Sequence, residues 1–437
     1  MGFFGRKRAP SVPHPRKEPR FDGPLTLERL EQIFQDCVDF TKRPVSLGEG
    51  GACTLTLCYL SGMVKMERVS DYVLRPLAQD EALARCGTPR QAMDRMKDGA
   101  LYNLSAEERT RLDAAVFDLV NGCCLLLFPW ESSVLSLNVG TEEKRSISSP
   151  SNETVLKGSR DAFVESLRTN TSIVRRHLKA PELRIREQVV GRQSVTSVDI
   201  LYIEGLTNPH LVEQVAAQLA DIDIDAVLTT GNIEEYIVPA ARTAFPLVQY
   251  TERSDRFCAG LAEGRVGILI DGLPLGYLAP GVLGDFLQAP QDKSESWLLA
   301  SALTLLRYLC MLGTLLLPAL YVAMVTFHQE MIPTRLALSI IAAKQDVPFR
   351  SVFEVIVLLL AFEILQEAGL RLPQSIGQTV SIIGGLVVGS AAVEAKIISP
   401  AVLIVVAIAG IAGYTMPSQE VAGALRIWRF LLALLAS

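Results

Sequence analysis

The chain lacks every catalytic signature that spacing alone reveals. It has no GxxxxGK[ST] phosphate loop, no HExxH and no GxSxG. Its four histidines, His14, His177, His210 and His328, are scattered, and no two have metal-ligand spacing. Asp271 and Asp285 have no visible acid/base partner. These absences argue against an enzyme, a cofactor and a bound metal. None of the eight cysteines forms a CxxC pair, seven of them precede Trp297, and Cys123-Cys124 sits within an apolar run; all are read as reduced thiols. A net charge of −5 gives no reason to expect a nucleic-acid partner. The N-terminus, MGFFGRKRAPSVPHPRKEPR, has too few apolar residues for a signal-peptide core, and Gly2 lacks the Ser or Thr of a myristoylation signal. Two readings of this basic tail stand: a disordered leader, or a polybasic patch that touches anionic lipid.

Charge is also missing from three long runs near the C-terminus. Residues 308–327, 372–393 and 397–419 are free of it over 20, 22 and 23 positions. A bilayer core of roughly 30 Å is crossed by about 20 apolar residues in a helix, so each run is long enough. The predicted fold class is an α/β soluble module of two similar subdomains, followed by an α-helical polytopic membrane domain. The expected boundaries are 1–24 for the tail and 25–145 for the first subdomain. A linker helix and second subdomain take 146–296, and a membrane domain of four or five spans takes 297–437. With no signal sequence, the soluble module is expected on the cytoplasmic side.

The soluble part carries an internal repeat. YLSGMVKMERVSDYVLRPL (59–77) and YIEGLTNPHLVEQVAAQL (202–219) share Tyr-x-x-Gly-hydrophobic and then a helix. Alternation and apolar runs predict strands at 54–60, 123–128, 134–139, 198–203, 266–270 and 275–278. Helical spacing is read over 25–40, with Leu27, Leu30, Phe34 and Val38 on one face. A long charged helix is expected over 159–178, with Phe163, Leu167, Thr171 and Val174 along one side. It serves as a linker between subdomains or as a surface for a partner subunit.

In the membrane part, Pro318 interrupts the first span, and Arg307 is placed to snorkel to the interface. The stretch 353–365 is apolar yet carries Glu354 and Glu363. Glu363, Glu367 and Arg371 recur every four residues and share a helix face. Ionisable groups at membrane depth are costly and face a bundle interior or water, so Glu363 and Glu367 are candidate pore-lining or gating groups, with Pro318. The alternative is a segment at the interface with all three charges hydrated. Gly377, Ser381, Gly385 and Gly389 form a ladder of small residues that admits a close helix neighbour, within the chain or on another subunit. The last stretch, with Arg426 and Arg429 three apart, either spans or lies in the interface.

Several long segments together resemble the A-subunit family of bacterial spore germinant receptors. They are GSRDAFVESLRTNTSIVRRHL (158–178), VGRQSVTSVDILYIEGLTNP (190–209), QYTERSD (249–255), LLPALYVAMVTFHQEMIPT (316–334), FEILQEAGLRLPQSIGQTVSIIGGLVVG (362–389) and AAVEAKIISP (391–400). The resemblance implies an integral protein of the spore inner membrane, its N-terminal module on the core side. It implies membrane lipid, a transporter-like B subunit and a lipoprotein C subunit as partners, and a homo-oligomer that forms a nutrient-gated cation channel starting germination. The same family includes an accessory subunit that amplifies dipicolinic-acid channel opening, and a non-conducting scaffold is a further alternative. The sequence departs from the family pattern at Leu359, where an acid is common, at Gln329 in place of Pro and at Lys396 in place of Gly. It also ends at Ser437, where relatives run on, so a last helix is expected to be missing.

Overall fold

Strand alternation in TLTLCYL has a structural consequence on both sides of one sheet. In the computed structural model, Leu55, Leu57 and Tyr59 face one apolar core, while Cys58 and Leu60 face another. The structure describes residues 21–47, 54–84, 86, 88–101, 106–129, 131–140, 150, 153, 155, 157–227, 235–237, 243–371 and 389–437. The chain divides into two units, the first spanning most of residues 1–280 and the second most of 281–437.

The first unit holds two five-stranded sheets. Strands β1 (Phe40–Ser46), β2 (Thr54–Leu60), β3 (Ala106–Arg109), β4 (Cys123–Leu127) and β5 (Val134–Asn138) pair in the order β1-β2-β4-β5-β3. Strands β6 (Leu183–Val190), β7 (Thr196–Ile203), β8 (Gln249–Thr251), β9 (Val266–Ile270) and β10 (Gly276–Ala279) pair as β6-β7-β9-β10-β8. One topology therefore occurs twice. The Tyr-x-x-Gly signature ends β2 and β7 alike, at Gly62 (φ +84°) and Gly205 (φ +79°), a left-handed turn that a side chain would strain.

The first sheet is covered on both faces. Val69, Val73, Leu77, Met93 and Met96 pack on one side. Helices α1 (Leu27–Ile33) and α2 (Leu112–Val120) cover the other with Leu30, Ile33, Leu112, Val116 and Leu119. Burial on both faces explains why β4 reads as an unbroken apolar run, CCLLL. In the second sheet, α3 (Leu167–His177) and α5 (Ser254–Ala262) bury Leu167, Val174, Phe257 and Leu261 against Leu183, Leu201 and Leu269. Between them in sequence, α4 (Pro209–Ala220) buries Val212, Val215 and Leu219.

The two sheets are locked together by charge and backbone. Arg175, on α3, bonds Asp39 through Nε (2.8 Å) and Nη2 (3.0 Å), with side chains only 1% and 2% exposed. Beside it the backbone of Val38 donates to Ile185 (3.0 Å), and Ile185 donates to Asp36 (3.2 Å). Residues 36–38 thus extend the open edge of β6. Arg184 adds a bond to the Ile33 carbonyl and Arg186 pairs with Asp36 at 3.0 Å.

This docking corrects two expectations. The helix predicted over 25–40 stops at Ile33, because Asp36 turns left-handed (φ 58°) to deliver the next residues to β6; Val38 is left 41% exposed. The helix predicted over 159–178 begins at Leu167, because Phe163 donates instead to Glu252 (2.8 Å) and Asn170 clamps both backbone groups of Val164. Asp271, without a partner in the sequence reading, accepts from the first amide of that helix at 3.1 Å. Asp285 accepts from Val282 at 3.0 Å.

The second unit is helical: α6 (Trp297–Thr326), α7 (Thr334–Lys344), α8 (Ser351–Arg371), α9 (Pro400–Gly413) and α10 (Gln419–Leu435), with a further helical piece at 389–394. Its core joins Tyr321 and Val322 to Val355, Leu358, Leu359, Val402, Val406 and Ala433. Its surface is apolar as well: Leu298, Leu305, Leu309, Leu320, Ile404, Ile408 and Ile411 are all at least half exposed. A surface of that kind suits hydrocarbon rather than water. Among the described residues, α6 is the helix both long and apolar enough to cross a bilayer; α9 is apolar but 14 residues long. Arg307 forks onto the buried Asp292, with a further bond to the Leu287 carbonyl at 3.2 Å.

Two outcomes are expected in thermal unfolding of the full chain. Arg175→Ala leaves Asp39 charged and unpaired, costing about 3–5 kcal/mol, whereas Arg175→Met with Asp39→Leu costs far less; equal losses would contradict the ion-pair account. Asp199 is fully buried, and desolvation raises its pKa from 3.8 to about 6, against the lowering effects of Arg168 and Thr171. A folded pKa above the unfolded value gives stability that is complete below about pH 4 and lost as pH rises through about 6, a loss on the order of 3 kcal/mol from this group. Asp199→Asn therefore gains on the wild type as pH rises, and a pH-independent difference in Tm would refute the assignment.

Candidate functional site

Helix α8 is apolar by composition yet bears the carboxylates Glu354, Glu363 and Glu367, and its neighbours supply partners for the first two. Glu354, in its first turn, is 1% exposed. Its Oε2 accepts from the Ser399 amide at 2.8 Å, at the residue that precedes α9. A carboxylate there meets the positive end of the helix dipole. Its Oε1 lies 3.6 Å from Lys344 Nζ at the end of α7, and that ammonium also donates to Ser351. One buried anion and one cation thus tie three helices together with balanced charge. The sequence reading noted Glu354 but not this role. A Lys ten residues upstream and a helix start 45 residues downstream give no local signal.

Further along α8, Glu363 lies between two arginines of α10. Arg426 Nε is 3.4 Å from its Oε1, and Arg429 Nη2 is 3.8 Å away. Glu363 and Arg429 are mostly buried, at 22% and 6% exposure. The contacts are longer than charge-assisted hydrogen bonds of about 2.7–2.9 Å. Neither Glu363 oxygen nor Arg429 Nε has a hydrogen-bond partner. The arginine pair was legible as a shared face, since residues three apart are helix neighbours. That it meets Glu363 was not.

The other candidate residues fall elsewhere. Glu367, one turn past Glu363, is exposed. Pro318 is buried inside α6, where it has no N–H for the Thr314 carbonyl; the Thr314 hydroxyl bonds the Ala409 carbonyl of α9 at 3.1 Å. Gly377, Ser381 and Gly385 lie outside the described residues. Gly389 is buried against α9, where an added Cβ would stand 3.3 Å from Leu403 Cδ1. Leu359, the position where an acid is common in the resembled family, is fully buried in the apolar core.

Residues 28–437 match the family model described as Bacillus/Clostridium GerA spore germination protein. The chain is 37% identical over 411 residues to the uncharacterized membrane protein YfkQ of Bacillus subtilis, covering 94% of this chain and 79% of that one. It is 37% identical over 393 residues to spore germination protein KA of the same organism, covering 90% and 72%. Among solved structures, it matches the N-terminal domain of the A subunit of the Bacillus megaterium spore germinant receptor GerK3. That match has a TM-score of 0.48 and 26% identity, covering 60% of this chain and 99% of that one.

The Glu354 cluster makes a separable prediction. Glu354→Ala strands the Ser399 amide and Lys344, and is expected to cost about 2–3 kcal/mol. Glu354→Gln keeps an acceptor for Ser399 and costs less. Equal Tm values for the two variants in detergent would rule out the capping role.

Proposed function

This chain belongs to the Bacillus/Clostridium GerA spore germination protein family, and from that premise we propose that it is the A-type membrane subunit of a nutrient germinant receptor. In this reading it resides in the spore inner membrane with its two-sheet unit on the core side. It acts with a transporter-like B subunit and a lipoprotein C subunit. Helix α6 crosses the bilayer, and the charge-free runs at 372–393 and 397–419 supply further crossings. Copies of the chain assemble around a cation path, with the small-residue ladder that ends at Gly389 packing helices closely.

The observation that carries the channel reading is Glu363. A carboxylate held loosely between Arg426 and Arg429, in a unit surfaced with leucine and isoleucine, is a costly arrangement for a mere anchor. Its long contacts suit an ion pair that changes partners when the helices move. Nutrient capture by a partner subunit then shifts a closed-open equilibrium, which requires different affinity for the two states. Pro318 and Glu367 belong to the same gating hypothesis, Pro318 as a point of lateral rearrangement in α6.

The test is nutrient-triggered release of potassium and dipicolinic acid from spores lacking the gene, with and without its restoration. Loss for one nutrient class, restored by the gene, supports the receptor subunit. Uniform slowing for every nutrient points to the accessory, amplifying role, and unchanged release refutes both. In reconstituted membranes, Glu363→Gln is expected to alter cation conductance. Currents identical to the wild type would remove Glu363 from the conducting path, and no current from either protein would favour the scaffold.

A further inference from the structure

The helical unit contains a cavity of about 390 Å³, lined in part by Arg426, Arg429, Gln366, Gln419, Tyr414 and Gly410. Its size falls in the range of small-molecule sites. Its chemistry is lopsided. Among the described ion pairs, both guanidinium groups meet the same carboxylate, Glu363, at distances too long for closed hydrogen bonds. Arg429 is 94% removed from solvent by its 6% exposure, and its Nε–H has no acceptor. Glu363 can neutralise one of the two guanidinium groups, Arg426 is 32% exposed, and the more buried Arg429 keeps an unsatisfied Nε–H, so the arrangement has room for a second anion. The planar guanidinium fork suits two-oxygen acceptors, carboxylate and phosphate, better than chloride. Neutral donors and acceptors from Gln366, Gln419 and Tyr414 complete a polar wall. At Gly410, which also lines the cavity, an added Cβ would meet no atom within 4 Å, so the space there is open.

We propose that this cavity is a binding site for one anionic oxyacid group, a carboxylate or phosphate, held by Arg426 and Arg429 in competition with Glu363. Occupancy loosens the hold of α10 on Glu363 and so couples the ligand to the position of α8. The group comes either from a free small anion or from a lipid headgroup. This site does not depend on the receptor reading, because it rests on the cavity and its charges alone.

The experiment uses the purified full chain in nanodiscs of uncharged phosphatidylcholine. Sodium phosphate and sodium acetate are titrated against sodium chloride at fixed ionic strength. Trp428, between the two arginines in sequence, provides the fluorescence signal. Saturable binding of phosphate or acetate is expected, weakened at least about tenfold in Arg426→Gln, the loss of one charged hydrogen bond. Gly410→Leu, which fills the space and leaves both arginines in place, is expected to abolish it. If free anions give no signal but nanodiscs containing phosphatidylglycerol do, and both variants remove that signal, the headgroup is the ligand. No signal from either source, or binding unchanged in both variants, overturns the proposal.

Discussion

The two-sheet unit depends on an ion pair that water barely reaches. Arg175, on the helix α3 that packs on the second sheet, and Asp39, in the turn just before β1 of the first, are 136 residues apart, and each is almost wholly buried. Two charges taken out of water are tolerable only when they satisfy each other with good geometry, and here the fork closes with two bonds near 3 Å. The pair does not act alone. It sits where residues 36–38 add to the edge of β6, so the same contact neutralises charge and covers an open strand edge. Removing either partner would leave a charge in the seam between the sheets. Two copies of one topology are in this way made into a single unit whose halves are not equivalent: one lends backbone, the other lends the arginine.

The helical unit solves the opposite problem. Its outside is apolar, and its polar groups are drawn inward. Glu354 is balanced by Lys344 and a helix N-terminus, and Arg307 by Asp292. Glu363 differs in having two arginine neighbours, Arg426 at 3.4 Å and Arg429 at 3.8 Å, and no hydrogen bond on either oxygen. Where the surroundings are apolar, a pair without closed hydrogen bonds stores free energy that a movement of helices or a ligand can release.

Strand position decided how much of the fold was legible. The interior strands β2, β4, β5, β7, β9 and β10 announce themselves by alternation or apolar runs, since both their faces are buried and both their edges paired. The edge strands escape the same reading. β1 is FTKRPVS, with Lys42, Arg43 and Pro44 exposed, and β3 is AEER. Charge and proline at an edge prevent pairing with other chains, and they also erase the pattern by which a strand is recognised. Helix ends failed for a related reason. The stops at Ile33 and the start at Leu167 are set by backbone partners far away in sequence, which no local propensity encodes.

By itself, then, the sequence determined the class of the molecule: an internally repeated α/β part, an apolar helical part, and carboxylates placed in a segment too apolar for them. These follow from periodicity and composition, which are local and survive in any correct fold. Only the tertiary structure decided the partners. Arg175 read as one of several charges on a helix that links the subdomains or meets a partner subunit, and the fold buries it against Asp39. Arg426 and Arg429 read only as two charges on a last helix that spans or lies in the interface, and the fold sets them against Glu363. The pairing of charges is a matter of distance in space, and 63 and 66 residues of chain separate those arginines from their carboxylate, with nothing in the intervening pattern to fix where the helices meet.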